Sequence, residues 1–486
     1  MKKLILKYFF AGLVLSSMSG CEKNITINPT HSLTLENALL TMTNYQTSLS
    51  TVYSNMRSDG YYGRNLSVIP DMNTDNLVQT GESLVNFLEI TDWLYTSQNG
   101  TVSETWLACY SIINNANIII NNIDKVTNAT NQRQANRIKG QVLAIRAMVH
   151  FDLLRYFGES YDRNSAALGV FYKKTSVLEE APSSTKPARQ SVKQNYDDIF
   201  ADISAAKILL GNVDVTINPT TKLRIDLVGA SAINARVALY AKDWPAAISN
   251  ATTVINALPL ATRAVYPAIW NDQSNAESAF TVFFAPGEGV IRLAGDVFSG
   301  PGNRSQQEAN PTLFATFDEV NDIRFSTSVR RGYGTLANPV RPTSRLVVTK
   351  HLGKGTATDG VVNWKAFRTG EMYLIRAEAL ANTSGQESNG LADLNNLRAA
   401  RINGYTPVVL SGATLLSAIA DERRKELFME GHRWFDLRRT TNTINRGTIS
   451  APTTQAVLAS SRREWVWPIP QGERDANSNM QQSAGY

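Results

Sequence analysis

The sequence predicts a mainly α-helical protein: a scaffold of tetratricopeptide-like helical hairpins, about four pairs, with long irregular segments and little β-structure. Three observations carry that expectation. Apolar residues recur at steps of three and four through much of the chain. Small residues pair with aromatic ones across short turns, as in "ALYAKDWPAAI". Two stretches, about 55–100 and 258–368, abandon this period for Gly, Pro, Asn, Thr and aromatics.

The N-terminus stands apart. Lys2, Lys3 and Lys7 surround an apolar run from Leu4 to Leu15, followed by Ser16, Ser17, Ser19, Gly20 and Cys21. A positive start, a short apolar core and a small-residue zone form an export signal, so residues 1–20 are expected to be removed. "SMSG" directly before Cys21 resembles a bacterial lipoprotein box, which makes Cys21 the lipidated residue and 21–33 a polar tether to one body at 34–486. Several acyl chains on one cysteine hold a protein durably where a single chain does not. No later run approaches the ~18 apolar residues of a membrane-spanning helix.

The helices follow in order. "ETWLACYSIINNANIIINNID" places Trp106, Tyr110, Ile113, Asn117 and Ile120 on one face, with Thr101 and Glu104 as a capping box before it. "QVLAIRAMVHFDLLRYFG" repeats the logic through Val142, Ile145, Val149, Leu153 and Tyr156, and Gly158 ends it. Ser191 and Gln194 cap a helix running to about Leu210. "SAINARVALYAKDWPAAISNATTVI" reads as a hairpin, with Pro245 in the first turn of its second helix. "EMYLIRAEALANTSGQESNGLADLNNLRAAR" reads as another, and residues from about 441 onward as extended or looped.

Composition excludes several functions. The net charge of +6 falls to +3 once Lys2, Lys3 and Lys7 leave with the signal, too little to argue for nucleic acid. With Cys21 lipidated, Cys109 has no disulfide partner and is expected to be a small buried hydrophobe. The histidines at 31, 150, 351 and 432 have no metal-ligand spacing, and Asp71 with Asp75 lack a full loop of oxygen donors for calcium. No cofactor or metal is expected.

"DERRKELFMEGHRWFDLRR", residues 421–439, is the densest charged passage. Glu430 with Arg433 and Asp436 with Arg439 have the spacing of helix-neighbour ion pairs, and Gly431 allows a close crossing or a break. The row Glu422, Glu426 and Glu430 needs cations from elsewhere, with Arg398 or Arg401 within reach. A glycosidase pair would flank its bond from two sides, whereas Glu422 and Glu426 share one helix face among arginines that lower both pKa values. The passage reads as scaffold, and the protein as a non-enzyme.

That passage, with "EMYLIRAEALA" and "LADLNNLRAAR" before it and "WPIPQGERDANSNMQQSAGY" after it, resembles the SusD/RagB family of Bacteroidetes outer-membrane lipoproteins. "ETWLACYSIINNANIII", "QVLAIRAMVHFDLLRYFG", "PARQSVKQNYDDIFADI" and "ARVALYAKDWPAAI" follow the family's order and spacing. The resemblance implies four tetratricopeptide-like helix pairs, no catalytic residues, and a SusC-like TonB-dependent transporter over which this lipoprotein sits on the cell exterior. It implies capture of oligosaccharides; peptides are the nearest alternative ligand, and a surface glycoside hydrolase is the more distant alternative function.

The resemblance fixes no ligand contacts, so candidates come from chemistry. Flat aromatics stack on sugar rings while amides and charged groups read hydroxyls. These are Tyr61, Tyr62, Arg64 and Asn65 in "DGYYGRN", Asp75, Trp93 and Tyr95, with Phe298 and Tyr333 beside glycines in the central segment. Trp93→Ala is expected to weaken binding without lowering the melting temperature. Trp270, Trp434 and Trp467 are assigned to packing.

Overall fold

The computed structural model describes residues 38–176, 186–211, 222–293, 297, 305–335, 338–340, 344–447 and 449–486. The export signal, Cys21, the tether and Phe298 lie outside the described residues. Helix α1 (Met42–Asn55) opens on a capping box between Thr41 and Asn44. Helix α2 (Gly100–Asn122) begins earlier than expected: the Asn99 side chain accepts the Val102 N–H and is the cap. Thr101 lies inside the helix, and Glu104 is drawn away to Arg64.

Helix α3 (Gln132–Phe157) is buried at every position from Gly140 to Phe157. It has no solvated face in this stretch, which marks it as the central helix of the body. Helix α4 (Val192–Gly211) starts at the expected Ser191–Gln194 box, each N–H bonded to the other's side chain. In the next hairpin α5 (Leu227–Tyr240) turns within three residues into α6 (Trp244–Ala257), which Asp243 caps and in whose first turn Pro245 sits. The α7 (Thr369–Ala381) and α8 (Glu387–Arg401) hairpin follows, then α9 (Gly412–Glu426) and α10 (Arg433–Arg439). Neighbours α2/α3, α3/α4, α5/α6 and α7/α8 pack pairwise, and the fold is mainly α.

The charged passage is not one continuous helix. It breaks between α9 and α10, where Gly431 takes φ +75° and a Cβ would collide with the Leu66 carbonyl. Gly431 thus serves both purposes expected of it, a break and a close crossing.

The irregular segments hold short antiparallel pairs: β1 (Leu77–Gln79) with β3 (Gln307–Ala309), β2 (Ser278–Val282) with β8 (Trp364–Arg368), β4 (Val329–Arg331) with β7 (Leu346–Val348), β5 (Tyr333–Thr335) with β6 (Asn338–Val340), and β9 (Ile444–Asn445) with β10 (Val457–Leu458). The β1/β3 pair matters most, because it zips segment 55–100 to segment 258–368. The C-terminal stretch closes over α3: Trp467 stacks on Tyr156 at 3.9 Å, and the Trp467 N–H donates to the Tyr156 carbonyl. Trp270, Trp434 and Trp467 are buried, as packing requires, and so is the Cys109 thiol, whose pKa burial raises.

Candidate functional site

The charged passage forms a buried ionic lattice. The Glu426 carboxylate accepts from Arg368 (2.7 Å), Arg401 (2.9 Å) and Arg324 (3.1 Å). Glu422 accepts from Arg324 (2.5 Å) and Arg398 (2.6 Å), and Glu430 from Arg368 (2.6 Å) and Lys350 (2.7 Å). Glu277 joins through Arg401 and Arg368. Burial pushes the Glu426 carboxyl up, but Arg401, Arg368 and Arg324 together hold it well below the usual carboxylate range. Glu422 is lowered in the same way by Arg324 and Arg398. Both acids are at most 1% exposed and face guanidinium groups.

The expected Arg398 and Arg401 partners are present, and so is the Asp436–Arg439 pair at 3.0 Å. The expected Glu430–Arg433 pair is not. Arg433 reaches Asp75 instead (2.8 Å to each oxygen), because the break at Gly431 turns it away from Glu430. His432 is buried, and burial beside Arg236 and Arg423 depresses its pKa far below the usual range.

A second charged cluster reaches the surface. It grows from a kinked turn, Asp59–Gly63, in which Tyr61 leaves helical geometry at φ −128° and ψ −120°. Gly60 seats this turn on α2, since a Cβ there would strike the Glu104 carbonyl and the Ala108 side chain. The close approach sets Arg64 against Glu104 at 2.6 Å. Asp59 lies 3.6 Å from Arg64 and 3.0 Å from Arg292, whose own N–H donates to the Gly63 carbonyl (2.9 Å). Arg57 pairs with Glu288 at 2.5 Å. The half-buried Phe87 ring lies under the Arg64 guanidinium, 4.8 Å from carbon to centroid.

The backbone here is strained. Val85 and Phe87 hold φ +56° and +63°, a region that a β-branched or aromatic side chain seldom enters. Strain of this kind collects at ligand clamps and functional sites. A cleft of about 390 Å³ opens between Thr80–Glu82 and Ser344–Leu346, with Arg345 bridging Glu82 (2.7 Å) and Glu308.

The structure divides the residues proposed from sequence. Arg64 stands on this face. Tyr61, Tyr62 and Asn65 point inward from the same turn and hold it: the Tyr61 hydroxyl donates to Asp152, Tyr62 packs against Trp364 and Met148, and the Asn65 amide donates to Thr101 and Thr105. Burial raises both tyrosine pKa values, with Asp152 adding to it. Trp93 is 1% exposed, with Arg446 over its ring at 4.1 Å and its indole N–H donated to the Asn73 carbonyl. Tyr95 donates to the Glu464 carbonyl and packs on Trp467. Asp75 is tied to Arg433 and Arg424.

These six side chains are core or scaffold, because each polar end finds an internal partner and each ring is covered. Tyr333 opens β5, its backbone paired to Val340. Sequence reasoning missed Asp59, Phe87, Glu104 and Arg292. Asp59 flanks nominated residues and could have been found; Phe87, Glu104 and Arg292 join only through tertiary contact.

The model of the SusD family matches residues 341–486, and a second family model, described as "Starch-binding associating with outer membrane", matches 32–239. The chain belongs to the SusD family. Among its relatives, SusD-like protein P2 of Formosa agariphila is 25% identical and SusD-like protein P38 of the same organism 23%, each match covering 98% of both chains. A SusD superfamily protein of Bacteroides thetaiotaomicron superposes with a TM-score of 0.78 at 23% identity, over 91% of this chain and 99% of its own. A Bacteroides vulgatus protein with a sugar-binding description gives 0.77 at 26% identity, over 92% and 99%.

Among the described residues, no helix is long and apolar enough to cross a membrane, and no group of three or more His, Cys, Asp or Glu could hold a metal ion.

Proposed function

We propose that this SusD-family protein binds oligosaccharides without cleaving them, at the outer membrane, and passes them to a SusC-like TonB-dependent transporter. In this reading Cys21 carries the lipid anchor and the body faces the cell exterior. The starch-binding, outer-membrane description of the matched family and the sugar-binding description of a structural relative support the class of ligand.

The observation that carries the assignment of the site is the Arg64–Phe87 pair. The Arg64 guanidinium lies over the Phe87 ring, and the partly exposed carboxylates of Asp59, Glu104 and Glu288 offer acceptors in the same cluster. That is the equipment for stacking on the apolar face of a sugar while reading its hydroxyls. The charges are already paired with one another, so a sugar hydroxyl can replace one partner without leaving an ion bare.

The test is a panel of oligosaccharides and a peptide pool offered to the mature chain. Binding of oligosaccharides, weakened at least about tenfold by Phe87→Ala, is expected, the loss of one stacked ring with its buried area being worth about 1.4 kcal/mol or more. Retention of peptides alone would replace the sugar reading, and release of reducing ends would replace the non-catalytic one.

A further inference from the structure

A second cleft lies away from the charged aromatic face, where the C-terminal ends of α3, α5 and α7 meet α10 and the C-terminal stretch. It measures about 1100 Å³, enough for a chain of several sugar units. Its lining includes Arg163, Lys242, Arg438, Arg439, Arg462 and Arg463, with Tyr161 and Trp465 among its aromatics. The acids that line it are Glu159, Asp162 and Glu378.

Those acids leave the positive excess in place. Both Glu378 oxygens are taken by Arg439, at 2.5 and 2.9 Å. Glu159 accepts the backbone N–H groups of Leu168 and Ala484, and Asp162 accepts that of Asn164 within its own turn. Arg163 is matched by Asp197, but Arg462 and Arg463 share the single carboxylate of Glu464, at 2.8 and 3.5 Å. Lys242 and Arg438 have no carboxylate partner among the described residues. Glu159 and Asp162 keep their charge, so with Glu378, Asp197 and Glu464 they set five carboxylates against six cations, and the net positive charge that remains is carried where Lys242 and Arg438 stand without a carboxylate.

Arg438 is held ready for one. Its two terminal nitrogens donate to the Arg155 carbonyl (2.6 Å), the Gly158 carbonyl and the Tyr161 hydroxyl, and its plane lies 4.4 Å over the Tyr161 ring. The carbonyl end of α3 fixes this guanidinium, yet no anion neutralises it, and its Nε has no hydrogen-bond partner among the described residues. Arg462 and Arg463 keep 41% and 44% of their side-chain surface exposed.

We infer that this cleft is a second binding site, for an acidic oligosaccharide bearing uronate or sulfate groups. Guanidinium groups match the planar or trigonal oxygens of such groups, and the half-buried Trp244 in the lining offers a ring to a sugar face. The inference concerns a different place from the Arg64–Phe87 platform and does not depend on it.

The test is calorimetric titration of the mature chain with oligosaccharides of equal length in neutral, uronate and sulfated forms. The wild type is expected to prefer at least one acidic form over the neutral one, and comparison of the uronate and sulfate arms identifies the group. Lys242→Ala combined with Arg463→Ala should erase that preference, weakening acidic binding about tenfold with the melting temperature unchanged, as expected for two partly exposed charges. Arg438→Ala should do the same; its contacts with α3 make it the variant more prone to misfolding, so the double variant decides. Equal binding of acidic and neutral chains, or a preference that survives in the double variant, overturns the site. Neutral binding lost in Phe87→Ala but intact in the double variant keeps the two sites distinct.

Discussion

Around Glu426, guanidinium groups from Arg324, Arg368 and Arg401 converge where water does not reach; around Asp59, those of Arg64 and Arg292 meet at the surface. The side chains are the same, and so are the distances of their salt bridges to within about an ångström. What differs is the medium. In the interior an ion stripped of its partner has nothing to replace it, so the lattice can only be structural. At the surface, water or a ligand hydroxyl replaces a lost partner at little cost, so the network is free to recognise.

Removing the centre of the lattice should have the largest effect. Glu426→Ala leaves three buried guanidinium groups short of an anion and is expected to lose about 3–5 kcal/mol of stability, read by denaturant unfolding. Trp93→Ala should come close behind, at about 3–5 kcal/mol, because it empties a covered site beneath Arg446. This reverses the expectation from sequence, and an unchanged melting temperature would return Trp93 to the ligand.

The third effect depends on pH. Burial raises the Asp71 carboxyl to about 6, against the hydrogen bonds it accepts from Asn76 and the backbone of Met429 and Gly431. The folded state then keeps a proton that the unfolded chain releases near pH 4. The stability this proton contributes is full below about 4 and is lost as pH rises through about 6, a change of roughly 3 kcal/mol. The stability of the wild type relative to Asp71→Asn should fall across that window; a flat difference contradicts it. The smallest effect is expected at the surface, where Asp59→Ala should cost less than about 1 kcal/mol. A loss there as large as at Glu426 would erase the distinction between the two clusters.

Much of the scaffold was legible because helices write their period and caps locally. The Ser191–Gln194 box, Pro245 in the first turn of α6 and the reach of Arg398 and Arg401 to the acids of α9 all follow from spacing. Arg324, Arg368 and Lys350 complete the lattice from the irregular segment, where no period announces them. The site was harder to read for a related reason. A turn such as "DGYYGRN" has one composition whether its rings face solvent or core, and only the fit of Tyr61 to Asp152 and of Asn65 to α2 decides it. Phe87 sits in an unremarkable stretch, and Arg292 lies 233 positions from the Asp59 it contacts.

The most direct measurement pairs oligosaccharide binding with thermal unfolding for the wild type and Phe87→Ala. Binding weakened at least about tenfold, with unfolding nearly unmoved, is the result expected of a platform that serves ligand. Undiminished binding by the variant would contradict it.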